Sequence, residues 1–326
     1  MSAGTPAPAA APRRRTSTPL LLGAATLLLA GLATLLWPRA AQRSDAEDPF
    51  EFAPPPSRPT GEPIRLTSTL AAGERFEGSG TFTYRQSASG RFGGMPLIPA
   101  REIVGTLTFA RRVEAMEGGR LQSTVEARLA YTEATGAAPA APVEATMTLS
   151  FEHGHVDTTS LPSTKLVAPE SARPALELLV EALTQRTPLV GLDVRVGEAV
   201  VPKEAMDVEP MRRQVFLLLR FDGRGVAPVE GAAWIDRVSG TGTSAEATVR
   251  TWLRHAQTGA SNDPFKDPMT TEYETVVRGL YRVGVNDGLA HAVETRAALR
   301  MHVRSDAFDY RVRIDLATTI EEKRVP

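Results

Sequence analysis

Tyr310-Arg311-Val312-Arg313-Ile314-Asp315-Leu316 alternates without a break: Tyr, Val, Ile and Leu at one set of positions, Arg, Arg and Asp at the other. Successive side chains of a strand point to opposite faces, so the stretch carries an apolar side and a charged side. A helix would scatter both sets around its circumference. One buried face and one wet face is the signature of antiparallel sheet.

The same period recurs outward from this stretch. Thr81–Tyr84, Ile103–Phe109, Leu121–Leu129 and Thr146–Phe151 alternate, and so do Val215–Phe221, Ala245–Leu253, Glu272–Val283, Leu289–Val303 and Phe308–Thr319. Glu117-Gly118-Gly119, Asp222-Gly223, Asn286-Asp287-Gly288 and Ser305-Asp306 supply turn chemistry between runs. An antiparallel β domain over residues 62–323 follows. Leu121-x-x-x-Val125-Glu126-x-Arg128 echoes Leu289-x-x-x-Val293-Glu294-x-Arg296, each after a strand holding Gly105 or Gly279. Duplication of a hairpin and chance likeness of alternating strands both account for the echo.

One segment has helical spacing. Between Pro169 and Arg186, Ala172, Ala175, Leu176, Leu179, Val180 and Leu183 form an apolar stripe, with Ser171 as N-cap, Pro174 in the first turn and Pro188 beyond the end. The expected fold class is therefore mainly β, of the α+β kind. A large curved antiparallel sheet packs one helix at about residues 169–186, after an N-terminal transmembrane helix.

That N-terminal element is Leu20–Trp37, a run without charge or strongly polar side chains. Its eighteen residues span roughly 27 Å as a helix, about the thickness of a bilayer's hydrocarbon core. Arg13, Arg14 and Arg15 precede it, so the positive-inside bias places residues 1–19 in the cytoplasm as a disordered tail. Residues 20–37 then act as a signal anchor in contact with the lipid bilayer. Residues 38–61, rich in proline, form a stiff linker. The expected localisation is the bacterial inner membrane, single-pass, with the bulk of the chain in the periplasm. A cleaved signal peptide is the competing account. The apolar run is long for one, and its best small-x-small site, Gly31-Leu32-Ala33, lies inside the run.

Composition excludes several classes. With no cysteine among 326 residues there are no disulfides, thiolate metal sites or cysteine nucleophiles. A net charge of −1 leaves no electrostatic footprint for nucleic acid. Gly240-Thr241-Gly242-Thr243-Ser244-Ala245 matches a dinucleotide-binding fingerprint, but a strand-like run follows it where a helix is required, so a hairpin turn is expected. His153-Gly154-His155 has no third ligand at a diagnostic spacing, and Asp263 with Asp267 lack the calcium-loop pattern. His255, His291 and His302 read as isolated. No nucleophile elbow, P-loop or H-E-x-x-H is present. No catalytic residue, metal site or cofactor is assigned, and an enzyme is not expected.

The candidate binding feature is the Gly-rich segment Ser87–Pro99, read as a loop carrying Phe92, Met95, Leu97 and Ile98. Exposed apolar side chains on such a loop form a lid or a docking tongue. Tucking under the sheet edge is the alternative.

A long meander of amphipathic strands with a helix, behind a secretory segment, resembles the half-barrel of the LolA-like lipoprotein-carrier superfamily. The resemblance rests on the strand pattern and the segment Pro169–Arg186 and matches no site residue. It implies a curved sheet around helices with an apolar cavity for acyl chains. The expected function is a membrane-anchored periplasmic non-enzymatic binding module for a lipid or another apolar ligand. The alternative is a structural or assembly protein of the cell envelope, acting on a protein partner through a sheet edge or the Phe92–Ile98 loop.

Overall fold

The computed structural model describes residues 58–92, 100–135, 141–153, 163–169, 176, 179–180, 183, 188–201, 229–261, 269–306 and 308–326. Residues 1–57, with the expected anchor, lie outside them. Twelve strands follow in order: β1 (Thr60–Arg65), β2 (Arg75–Phe92), β3 (Arg101–Ala115), β4 (Leu121–Thr135), β5 (Ala141–His153), β6 (Ser163–Val167), β7 (Asp193–Val196), β8 (Glu230–Ser239), β9 (Glu246–Ser261), β10 (Met269–Gly284), β11 (Ala290–Arg304) and β12 (Phe308–Val325). They form one sheet, ordered β1-β7-β8-β9-β10-β11-β12-β2-β3-β4-β5-β6.

Two meanders, β2–β6 and β8–β12, are joined where β12 pairs with β2. That seam is antiparallel and complete, from Phe308 opposite Phe92 to Val325 opposite Arg75. Each partner has 18 residues, roughly 60 Å of strand at about 3.3 Å per residue. β7 meets β8 in parallel at the single pair Val196–Ile235; every other strand pairing is antiparallel.

Alternation decides what each face holds. Along β3, Ile103, Gly105, Leu107 and Phe109 are buried while Val104, Thr106, Thr108 and Ala110 are exposed. Inner residues of β2 to β5 and β12, including Phe82, Tyr84, Ile103, Leu107, Leu129, Met147 and Leu149, form the largest apolar cluster. A second cluster joins Leu66, Leu189 and Val194 to Ala233, Ile235, Val249, Tyr281 and Val283. Phe76, Val113 and Leu289 make a third. Where β8 to β10 meet, the opposite face is buried as well, around Trp234, Trp252 and Val276. Each fully buried Leu, Ile or Phe contributes about 1.5–3 kcal/mol relative to exposure.

The turns fall where the sequence marks them. Gly118 (φ 77°) closes the β3–β4 connection, and Gly240 (φ 76°) and Gly242 (φ 60°) close β8–β9. The fingerprint-like motif is therefore a hairpin. Gly288 (φ 62°) ends the β10–β11 turn against the backbone of Thr67. The two echoed sequences lie on the hairpins β3–β4 and β10–β11. Asp222-Gly223 lies outside the described residues.

The α+β expectation is corrected. Among the described residues the continuous elements are strands and two short 3-10 turns, Glu117–Gly119 and Gly242–Ser244. Of the segment 169–186, Pro169 is described outside any element, and beyond it Leu176, Leu179, Val180 and Leu183 are described. They are helical, and the first three are buried in the largest cluster, with Leu183 packed against it. The other three clusters contain strand, turn and loop residues alone. The physical reason is area: twelve strands present far more apolar surface than one helical stripe covers, so most of the core is sheet and turn side chains packed on one another.

Candidate functional site: a charged hollow on the wet face

Register builds a site on the charged side of the sheet. Reading across β9, β10, β11, β12 and β2, Thr258, Glu272, His302, Arg311 and Ser89 stand in one row. Two residues along, Ala256, Glu274, Arg300, Arg313 and Ser87 stand in the next. Both rows lie opposite the inner face, because Tyr273, Met301 and Val312 alternate with them. Short side chains, Ala256 at one side and Ser87 and Ser89 at the other, flank long ones. A hollow of about 640 Å³ opens over both rows, with Arg254 completing its wall.

Its lining is charged. Arg254, Arg300, Arg311 and Arg313 line it with Glu272 and Glu274, and Glu230, Asp309 and Asp315 meet the same arginines from its margin. Glu274 sits deep, with 13% of its side chain exposed, and takes both Arg254, at 2.7 Å, and Arg300. The hydrogen bond from Arg254 to Glu274 pushes that guanidinium's pKa up. Glu272 pairs with Arg304. His302, 19% exposed, has Nε2 at 2.8 Å from Asp309 Oδ1 and Nδ1 at 3.7 Å from Glu272. The bond to His302 holds the Asp309 carboxyl below its usual range, with Arg311 and Arg304 adding to the effect. Arg313 lies 2.9 Å from Asp315 two residues along. Arg311 is 64% exposed and approaches Asp309 only to 3.9 Å.

Arg300 is directly opposite Arg313, and His302 directly opposite Arg311, whose Nε donates to His302 Nε2 at 3.4 Å. Of the two pairs, Arg300 with Arg313 sets like charges opposite on one face, which destabilises a sheet. Beside the site, Asp315, Arg85 and Glu102 alternate in sign across β12, β2 and β3, and Arg85 donates to Glu102 at 2.5 Å. Chemically, the two rows offer planar guanidinium forks suited to carboxylate or phosphate oxygens.

Two ionic groups are instead buried on the inner face. Arg101, 1% exposed, pairs with Glu133 beside Tyr84, Gln86 and Tyr131. Burial raises both phenols, Tyr131 to about 12. At the other end Arg111 donates to Glu322 at 2.6 Å and lies 4.4 Å over the Phe76 ring. Burial outweighs that ion pair and lifts the Glu322 carboxyl to about 6.

The sequence-derived candidates fare differently. Ser87–Phe92, read as part of a loop, are strand residues of β2, paired with Arg313 through Phe308 of β12. Phe92 is the last residue of that strand, and Met95, Leu97 and Ile98 lie outside the described residues. His153 ends β5; His155, Asp263 and Asp267 lie outside the described residues. His255 is buried against Tyr273. Sequence reasoning missed the hollow. His302 was read as isolated, and its partners Glu272 and Asp309 come from neighbouring strands.

No protein-family model matches the chain, and no curated protein matches it. Solved structures of similar outline include an outer membrane channel from Pseudomonas putida F1, at 8% identity and TM-score 0.27, covering 78% of this chain and 97% of that one. The beta domain of the Bordetella autotransporter BrkA is similar at 8% identity and TM-score 0.20, covering 76% of this chain and 99% of that one. Pseudomonas aeruginosa OccK7 is similar at 8% identity and TM-score 0.20, covering 78% and 100%. None of the three is a lipoprotein carrier. The expected signal anchor and single-pass inner-membrane placement are corrected here. One of the similar structures is an outer membrane channel and another an autotransporter beta domain, and no helix among the described residues is long and apolar enough to cross a membrane. At such scores the likeness carries no functional argument, and no membrane address is assigned in its place.

Proposed function

We propose that this chain is a non-enzymatic binding module whose ligand is an anion held in the hollow over β9–β12 and β2. The observation that carries the proposal is the gathering of four guanidinium groups, Arg254, Arg300, Arg311 and Arg313, around about 640 Å³ of open space, in a chain whose net charge is −1. An apolar ligand has less support. The inner-face side chains that would receive it, such as Phe82, Ile103, Leu129 and Met147, are already 0–2% exposed.

Titration of the purified protein with orthophosphate, citrate and succinate, against chloride at matched ionic strength, tests the proposal by thermal unfolding. A ligand at 100 times its Kd stabilises by about 2.7 kcal/mol. The expected result is a midpoint shift of several degrees that Arg300→Ala removes. Midpoints that track chloride for every anion would refute it.

A second reading, a structural or assembly role, is supported by β6. Among the described residues this five-residue strand pairs on one side only, and Val167 on it is 61% exposed. Edge strands accept added strands from partners. Cross-linking through residue 167 should then capture one partner stoichiometrically, and Val167→Lys should prevent it.

A further inference from the structure

We propose that the inner face of the sheet binds a buried water molecule between Gln86, Tyr131 and the Arg101–Glu133 ion pair. This site lies apart from the hollow and does not depend on it. Tyr84 and Gln86 on β2, Arg101 on β3, and Tyr131 and Glu133 on β4 share that face. Gln86 stands directly across from Arg101, and Tyr131 is two residues from Glu133 along β4. Tyr84 and Gln86 are 1% exposed and Tyr131 3%, so bulk solvent serves none of them.

Hydrogen bonds within the cluster do not reach every atom. Tyr84 Oη donates to Gln86 Oε1 at 3.3 Å, and Arg101 is engaged by Glu133. Among the described residues, Gln86 Nε2 and Tyr131 Oη find no partner. A buried polar group left without a hydrogen bond forfeits its hydration for nothing, so such groups are satisfied as a rule. Turning the Gln86 amide over gives Tyr84 the nitrogen and leaves the oxygen unanswered instead. A partner that serves either orientation must both accept and donate, which water does and an anion does not. The ion pair is already neutral, so an anion beside it would be a buried charge without a counterion. Burial pushes the Tyr131 phenol up to about 12, which keeps its hydroxyl protonated as a donor. A water that accepts from Gln86 and Tyr131 and donates to Glu133 answers both atoms. A carboxylate accepts about four hydrogen bonds, so Glu133 can serve Arg101 and the water together.

Oxygen-17 magnetic relaxation dispersion of the full chain, which counts long-lived internal waters, tests the assignment. The count should fall by about one water in Gln86→Leu and again in Tyr131→Phe, each taken singly against the parent. Arg128→Ala, exposed on the wet face of β4, should leave it unchanged. Should Gln86→Leu fail to fold, Tyr131→Phe, which removes a hydroxyl and keeps the ring, still decides the matter. A count that stays at the parent level in Tyr131→Phe would overturn the site. A chloride relaxation signal that Tyr131→Phe removes would overturn it too, because the occupant would then be an anion.

Discussion

Gly105 is the position at which a single methyl group tests the packing of the sheet. It lies mid-way along β3, opposite Phe82 of β2 and Tyr131 of β4. Those two side chains are 1% and 3% exposed, and their rings stand 6.4 Å apart at 59° over the glycine. A Cβ there would lie 2.6 Å from Tyr131 Cβ and 2.7 Å from Phe82 Cζ. Two effects oppose each other in Gly105→Ala. Alanine loses less backbone entropy on folding, which favours the variant by roughly 0.5–1 kcal/mol. Overpacking a filled core costs about 1–3 kcal/mol, because neighbours must leave their rotamers or the backbone must shift. The clash involves the Cβ of Tyr131, which is fixed by its backbone, so repacking of the ring cannot relieve it fully. Overpacking wins, and the net expectation is a loss of about 0.5–2 kcal/mol. Urea unfolding measured by circular dichroism gives the number. Phe82→Leu in the Gly105→Ala background should recover part of the loss, a coupling that a double-mutant cycle reads directly. A stabilised Gly105→Ala, or additivity with Phe82→Leu, would refute the placement of these three residues in one contact.

Two further outcomes follow from the buried ions. The Glu322 carboxyl is raised from 4.5 to about 6, so the folded state binds its proton more tightly than the unfolded state. Its contribution to stability is complete below pH 4.5 and is lost as pH rises through about 6, a loss of about 2 kcal/mol at 1.36 kcal/mol per pKa unit. Urea midpoints between pH 4 and 7 should show that decline, and Glu322→Gln should flatten it. Glu133→Ala leaves the buried Arg101 without this carboxylate and should cost about 3 kcal/mol or more. Arg101→Met with Glu133→Leu should recover most of that in the same assay, since an apolar pair of similar volume carries no desolvation penalty.

The faces of the sheet were legible from the sequence, and the site was not. Period-two alternation places Tyr310, Val312 and Leu316 inside and Arg311 and Arg313 outside without knowledge of the neighbours, and that is where they lie. Glycine and Asx residues marked the turns at Gly118, Gly242 and Gly288. Which charges share a row depends on register, and register depends on the centre of each turn. A β11–β12 turn centred on Ser305 and Asp306 sets Arg300 opposite Arg311. The observed pairing, centred one residue later, sets it opposite Arg313. Both registers keep the charges outside, so alternation could not choose between them. The join of β12 to β2 was beyond local signals altogether, because more than 200 residues separate Arg313 from Ser87. The helical stripe misled for a related reason. Leu176, Leu179 and Val180 do reach the core, but spacing within a segment says nothing of how much sheet one helix must cover.

Arg311 is where a structural and a functional account of the hollow part company. A residue kept for stability should cost stability when removed. Arg311 is 64% exposed, approaches Asp309 only to 3.9 Å, and donates from Nε to His302 Nε2 directly across at 3.4 Å. Exposed ion pairs contribute about 0–1 kcal/mol. Threonine at the same position fits a strand better and offsets the loss of these exposed contacts. Arg311→Thr should therefore leave the stability of the anion-free protein within about 1 kcal/mol of the parent, while lowering its affinity for the anion. Stability kept and binding lost is the behaviour of a side chain retained for a ligand. Urea unfolding in anion-poor buffer decides it. A loss of more than about 1 kcal/mol would mark Arg311 as part of the sheet's own ion-pair lattice, and the gathering of arginines around the hollow would then need no ligand to explain it.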